Sequence, residues 1–526
     1  MPPTDRRAFL TLSALGSAWL LRHPAMGWQA VAPTDNPTAP AKQAWTDSLP
    51  WKTVVEVTRM PGTSPAGQLA AAQAMLLAKG GGVAYFPAGT YRFADSIKLL
   101  PGVILRGAPP VIASAKNDKF ALGTQFEFPK YEPVMEGDGT PIAKAFKGIY
   151  AASPDAAGIG VVHVAINRGH IHFADAGPEK KFAAGANRFV YGCILRNCAV
   201  ADPAIPNLAN GQKTWQRFTA RHFAAVDVKA DSNLLIANNR LPKSGDDNFT
   251  MPGYVLLDSK KKPVQAEVLF DYDNRPAFYI NHYALGGQGG TGPDGTPESH
   301  PHGFRKGTVI ADNVIFNTGR MGIGFSGDGV VCAGNVIRFP EEYYRPTATG
   351  LVVTMGSSTN DNRAIEMRGW RWIVKDNDYT VHRNVAFDKK YKINDGEGLM
   401  HEDHVNSIVK DSVLTGNRGN TYLSIYKTAG IDGLLIEAND IRLGDGKQTI
   451  AKGAAIMASA NRTKDKFPCK NCRIVNNTVA GGGILIAGTP GEGNVVKGNK
   501  CVSTGVAKIV NEANAMCDGN VNFEWA

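Results

Sequence analysis

Val309-Ile310-Ala311-Asp312-Asn313-Val314-Ile315 and Val330-Val331-Cys332-Ala333-Gly334-Asn335-Val336-Ile337 are two copies of one short pattern: an apolar run, a small or polar pair ending in Asn, then apolar residues again. Leu434 to Ile441, Cys472 to Asn477, Asn494 to Asn499 and Leu234 to Asn239 repeat it, and weaker copies centre on Asn197, Asn384 and Asn520. The Asn spacings are 22 (313 to 335), 22 (477 to 499) and 21 (499 to 520). A period near 22 with strands of three to five residues is too short for a helix-pair repeat and lacks a leucine-rich horseshoe pattern, which leaves stacked β coils. Each short strand then pairs with the same strand one turn on. The tight bend needs a residue tolerant of left-handed geometry, which Asn supplies, and an Asn repeated at one bend can bond to the Asn above it. The longer gaps, 49 from 335 to 384 and 38 from 439 to 477, mark loops inserted into single coils.

Composition agrees with this all-β reading. Charged residues at 20% and hydrophobic residues at 43% are those of a folded soluble chain, and 58 Gly with 31 Pro in 526 residues favour turns over long helices. The seven cysteines cannot all pair, so the fold is not a disulfide scaffold. Cys469-x-x-Cys472 has no second Cys or His pair at zinc-ligand spacing and reads as thiols stacked inside the solenoid, with no metal assigned.

Thr4-Asp5-Arg6-Arg7-Ala8-Phe9-Leu10 and the apolar run that follows to Leu21 resemble a twin-arginine export signal. The run is too short to span a bilayer comfortably, and Ala25-Met26-Gly27 offers small residues for cleavage. Residues 1–27 therefore read as a leader, 28–50 as a linker and 51–526 as one solenoid domain, periplasmic or secreted, with no membrane contact once the leader is gone. The net charge of +10 falls to +8 when Asp5, Arg6, Arg7 and Arg22 leave. A basic exported protein suits an anionic polysaccharide partner. Lys and Arg are too dispersed, and reading motifs too absent, for nucleic acid.

Gly80 to Arg92, with Ile97-Lys98-Leu99 and Gly102 to Gly107 behind it, resembles the opening of the pectin-lyase-like right-handed parallel β-helix superfamily. Residues 65–79, apolar at helical spacing, resemble the helix that plugs the N-terminal end of such solenoids. Loop insertions are expected at about 242–276, 284–307 and 340–363. The superfamily houses lyases, hydrolases, esterases, epimerases and adhesins, so the resemblance implies architecture rather than chemistry.

In that family the strand before the first turn of each coil floors the substrate cleft. Period-two alternation then turns outward Asp227 and Lys229, Tyr279 and Asn281, Ser326 beside the glycines 322 and 324, and Ser424 and Tyr426 ahead of Lys427. The most unusual stretch runs from Asp395 to His404. Its acids and histidines (Glu397, His401, Glu402, Asp403, His404) invite shifted protonation equilibria, and two face parities remain open: Glu397, Leu399 and His401 outward, or Met400 and Glu402 outward. Glu366 and Arg368 share one face of Ala364 to Gly369, a segment that is either a floor strand or a hairpin, since Arg371 to Lys375 competes for the floor. Ser244 to Asn248 has the residue types of a Ca2+ site or of a polar turn, and no cofactor is assigned.

The Asn-x-Asp, Asp-Asp, Gly-His-Gly and Arg-x-Lys series of polygalacturonase-type hydrolases is missing apart from Asp246-Asp247, and so is the Trp-x-Asp-His signature of one pectate lyase family. The leading expectation is a polysaccharide lyase acting by β-elimination on a uronate-containing polymer. Arg368 or Lys229 would neutralise the carboxylate, and His401 or Tyr426 would move protons. A glycoside hydrolase using two of Glu366, Glu397, Glu402 and Asp403 is the alternative, and a non-catalytic carbohydrate-binding protein the third.

Overall fold

The computed structural model describes residues 32–112, 120–121, 123–129, 134–135, 141–142, 147–153, 156–173, 187–196, 200–201, 222–223, 225–228, 233–243, 249–250, 256–257, 263–264, 269–270, 278–281, 307–316, 321–339, 363–381, 400–403, 408–426, 428–443, 453–462, 465–503 and 505–525. The proposed leader lies outside them. Of the three insertions, the described residues are mostly short antiparallel pairs, such as Phe249–Thr250 with Leu269–Phe270 and Leu256–Leu257 with Pro263–Val264.

Three long parallel sheets of 15, 13 and 12 strands make the domain. One coil shows how they are wound. Thr308–Ala311 lies in the 15-stranded sheet, Val314–Phe316 in the 12-stranded sheet and Met321–Asp328 in the 13-stranded sheet, after which Val331–Ala333 re-enters the first sheet beside Thr308–Ala311. This is the parallel β-helix expected from the 22-residue period. Register keeps like residues in column: Ile236, Ile310, Cys332, Val374, Leu414, Ile436, Ile474 and Val496 are successive partners, all fully buried. Cys332 takes an aliphatic place in this column, and Cys469 and Cys472 are likewise buried free thiols of the core.

The bend corrects the sequence reading in two respects. The left-handed residue is the one before the Asn: Asn238, Asp312, Gly334, Asp376, Gly416, Ala438, Asn476, Gly498 and Gly519 have φ between 54° and 67°. At Gly334 an added Cβ would meet the Asp312 carboxylate oxygen at 2.5 Å, so glycine serves there for space as well as for φ. The ladder itself consists of Asn239, Asn313, Asn335, Asn377, Asn417, Asn439, Asn477, Asn499 and Asn520, and each Nδ2 donates to the next Oδ1 at 2.9–3.0 Å. Asn377, not Asn384, holds that coil's place, because the backbone turns at Asp376. Asn384 and Asn197 lie outside the described residues, and Asn417 belongs to a copy that the apolar pattern had hidden.

Helix Pro65–Ala78 is capped by Ser64, whose hydroxyl accepts from the Gly67 N–H at 3.2 Å. It buries Leu69, Ala72, Gln73 and Leu76. Gln73 binds the first coil through its side-chain amide, Nε2 donating to the Lys98 carbonyl at 3.1 Å and Oε1 accepting from the Leu100 N–H at 2.9 Å. Such a cover protects strand edges that would otherwise be exposed. Of the segment 28–50, read above as a linker, residues 34–50 fold against the 15-stranded sheet instead: Asp35 pairs with the buried Arg106 at 2.9 Å, and Trp45 packs on Phe189. No helix among the described residues is long and apolar enough to cross a membrane.

Candidate functional site

The 13-stranded sheet contains every strand singled out above as a possible floor: Val226–Val228, Phe278–Asn281, Met321–Asp328, Arg363–Trp370, Met400–Asp403 and Leu423–Tyr426. The competing segment Ile373–Lys375 belongs to the 15-stranded sheet, whereas Arg363–Trp370 lies in the 13-stranded sheet with the other candidate strands. One face of this sheet supplies the core, with Ile97, Ile149, Ile171, Val226, Ile323, Ile365, Leu423 and Ile456 all buried there. Alternate positions form a row on the opposite face, paired in the order Lys98, Tyr150, His172, Asp227, Tyr279, Gly324, Glu366, His401 and Ser424. The row then turns apolar at Met457, Leu485 and Val510, which belong to a small cluster outside the bore.

Register also resolves the parity of the acidic and histidine-rich stretch. Met400 pairs with Ile365 and Leu423, both core residues, so His401 falls in the outward row between Glu366 and Ser424. Glu402 pairs with Met367 and Ile425, which are core residues, so its position falls in their column and not in the row of Glu366 and His401. The next outward row carries Asn281, Ser326 and Arg368, then Asp403 with Tyr426. Glu366, Arg368, His401 and Tyr426 therefore occupy two neighbouring rows on three consecutive strands. Glu397, His404, Lys229, Lys427 and the Ser244–Asn248 loop lie outside the described residues.

Two places on this face have described polar side chains of chemical interest. Glu366 is only 5% exposed although it lies on the outward face, and Ser424, two strands further, is buried with an Oγ that has no hydrogen-bond partner among the described residues. Buried polar groups on an outward face are costly unless something uses or covers them. The second place was missed by the sequence reading. In His170–Phe173 the core takes Ile171 and Phe173, leaving His170 and His172 on the outward face. Their rings stack with centroids 5.3 Å apart and planes 15° from parallel. Tyr150 sits edge-on to His170 at 5.1 Å, and its hydroxyl lies 2.6 Å from His170 Nε2. The signal is the alternation in His-Ile-His-Phe, which stands in a coil that no Asn bend marks. At about 4.8 Å per strand, His172 and Glu366 stand roughly 19 Å apart along the face.

No family model and no curated protein matches the chain. Solved structures similar to it include a tailspike protein mutant of E. coli bacteriophage HK620 in complex with a pentasaccharide, 11% identical with a TM-score of 0.40; the alignment covers 86% of this chain and 64% of that one. The catalytic unit of a thermostable GH87 alpha-1,3-glucanase from Streptomyces thermodiastaticus is 12% identical over 90% of this chain and 69% of that one, with a TM-score of 0.42. DFA-IIIase from Arthrobacter chlorophenolicus, without its lid, is 13% identical over 89% of this chain and 93% of that one, with a TM-score of 0.43.

Proposed function

We propose that the protein is an exported enzyme that cleaves an acidic, uronate-containing polysaccharide by β-elimination, with the polymer lying along the outward face of the 13-stranded sheet. The observation that carries this reading is the unbroken outward row from Lys98 to Ser424, nine strands whose inward neighbours are apolar wherever their side chains are described. Eight steps of about 4.8 Å give a floor of roughly 38 Å, a length suited to an extended polymer rather than to a small molecule. The net charge, +8 once the leader's Asp5, Arg6, Arg7 and Arg22 are gone (10 − 3 + 1), favours an anionic chain, and the leader-like first 27 residues suit an extracytoplasmic substrate. Elimination needs a cation at the uronate carboxylate, a base at C5 and a proton donor at the leaving oxygen. The row holds one lysine, Lys98, two histidines, His172 and His401, and two tyrosines, Tyr150 and Tyr279. Glu366, Arg368, His401 and Tyr426 contribute to the floor at its C-terminal end.

Glu366 favours a second reading. A carboxyl group this buried on the cleft side suits the general acid of a glycoside hydrolase, with Asp403 in the neighbouring row as its partner. Incubating the purified protein with alginate, pectate and glycosaminoglycans separates the two. Elimination gives a new ultraviolet absorbance from the C4–C5 double bond, and hydrolysis gives reducing ends without it. Binding with neither product would leave a carbohydrate-binding protein.

A further inference from the structure

We infer that Tyr150 and His170 form the acid–base pair of this elimination, with Lys98 and His172 holding the uronate carboxylate beside them. The inference rests on the reading of the face as a uronate-polymer cleft and assigns the reacting groups within it. These four residues come from three consecutive strands, Ile97–Leu99, Gly148–Ala151 and His170–Phe173, and register makes Lys98, Tyr150 and His172 successive partners in one outward row. Lys98 is exposed, Tyr150 and His172 are half-buried, and His170 is buried. The reactive hydroxyl thus belongs to a residue that solvent reaches, while the group that tunes it is held below.

The chemistry follows from the 2.6 Å separation between the Tyr150 hydroxyl and His170 Nε2, a short hydrogen bond along which the phenolic proton can pass to the ring. As the phenolic proton moves to His170 Nε2, the Tyr150 oxygen takes the C5 proton of the uronate. The C5–H electron pair becomes the C4–C5 double bond, and the C4–O4 bond breaks with its pair going to the leaving oxygen. That oxygen receives the proton from Tyr150, whose own proton then returns from His170. The polymer is cut into two chains, one with an unsaturated end, and no water, oxidant or metal enters the balance. Negative charge that builds on the carboxylate in the transition state lies next to the Lys98 ammonium and the His172 ring. The stacked imidazoles and the edge-on phenol fix these groups on strands rather than on loops, which is the placement that precise proton transfer demands.

Tyr150→Phe keeps the ring and removes only the hydroxyl. On whichever polymer gives an ultraviolet signal with the unaltered protein, this variant is expected to lower kcat by about a hundredfold or more, while it still folds and its melting temperature falls by no more than a few degrees, the cost of one partly buried hydrogen bond. His170→Gln, which keeps an acceptor of different basicity, should lower kcat without a matching rise in KM, whereas Lys98→Gln should act mainly on KM. Ultraviolet activity in Tyr150→Phe within threefold of the unaltered protein overturns the assignment while leaving the lyase reading intact. No ultraviolet signal from the unaltered protein on any of the polymers overturns the lyase reading and this assignment with it.

Discussion

Replacing Asn377 by alanine tests whether the asparagine ladder holds the solenoid together. Asn377 Oδ1 accepts from the backbone N–H of Asn335 at 3.0 Å and from its Nδ2 at 2.9 Å, while its own Nδ2 donates to the Cys332 carbonyl at 3.0 Å and to Asn417 Oδ1 at 2.9 Å. All three asparagines are at most 1% exposed. The substitution removes four hydrogen bonds and leaves two donors of Asn335 buried without an acceptor. At about 1–3 kcal/mol for each orphaned group, the expected loss is roughly 2–6 kcal/mol. Asn520→Ala at the C-terminal end is the internal control. It deletes the equivalent acceptor for Asn499, but there the bonds are only partly buried and water can replace them, so about 1 kcal/mol is expected. Asn377→Asp adds a sign test. One carboxylate oxygen would face two acceptors, so the folded state favours the protonated acid and raises its pKa. The stability present below the ordinary carboxyl pKa of about 3.9 is then lost as pH rises through the folded-state value. Guanidinium denaturation followed by tryptophan fluorescence, read as a midpoint at constant slope, gives all three. An Asn377→Ala loss below 1 kcal/mol, or equal to that of Asn520→Ala, would refute the ladder as a main source of stability.

Ala438 has φ of 54° at the bend position where other coils place glycine, asparagine or aspartate. Ala438→Gly is therefore expected to stabilise the protein by about 1 kcal/mol by thermal melting, since left-handed geometry costs an L residue roughly that much. Burial, and after it the charge of Arg106, push His163 down to about 4, against a smaller opposing effect of Asp35. The folded state thus favours the neutral ring, and stability should fall by about 3 kcal/mol as pH drops from 6.5 to 4. His163→Asn, which tolerates the φ of 55° there, should flatten that part of the stability profile. At Asp35, burial raises the carboxyl, but the hydrogen bond and charge of Arg106 outweigh it and hold the group below its ordinary value. Asp35→Ala leaves the buried Arg106 without this partner, and limited proteolysis should then cut within residues 34–50 sooner than in the unaltered protein.

How much of this was legible in the sequence follows from the periods involved. The coil repeat is carried by buried aliphatic columns and by an asparagine that stays in register through eight steps, so it survives in spacing alone. The exact bend does not, because a left-handed residue and the ladder asparagine are neighbours. Asp376-Asn377 and Gly416-Asn417 look like ordinary polar turns until the chain is wound. The outward face was legible where one apolar residue fixed the parity, as Ile365 and Met367 did for Glu366. In Leu399-Met400 two adjacent apolar residues offered two parities, and only pairing with Ile365 and Leu423 decides between them. That choice reverses the meaning of the segment, since it puts His401 in the row of Glu366 and Ser424 and Glu402 in the column of Met367 and Ile425.

The Tyr150–His170 pair was illegible for a different reason. Its members are 20 residues apart, and nothing in either local pattern ties them; the bond exists because Gly148 and His170 are register partners, which brings Tyr150 beside His172 and its hydroxyl back to His170. Glycine at 148 is what permits this, since a Cβ there would lie 2.4 Å from the His170 ring and 2.3 Å from its carbonyl oxygen. Any larger residue at 148 must displace the imidazole from the phenol. Gly148→Ala is accordingly expected to lower ultraviolet-detected turnover by weakening the Tyr150–His170 hydrogen bond while every group in the proposed mechanism stays in place chemically. A Gly148→Ala variant that folds with full turnover would show that the contact between the two rings has no part in the chemistry.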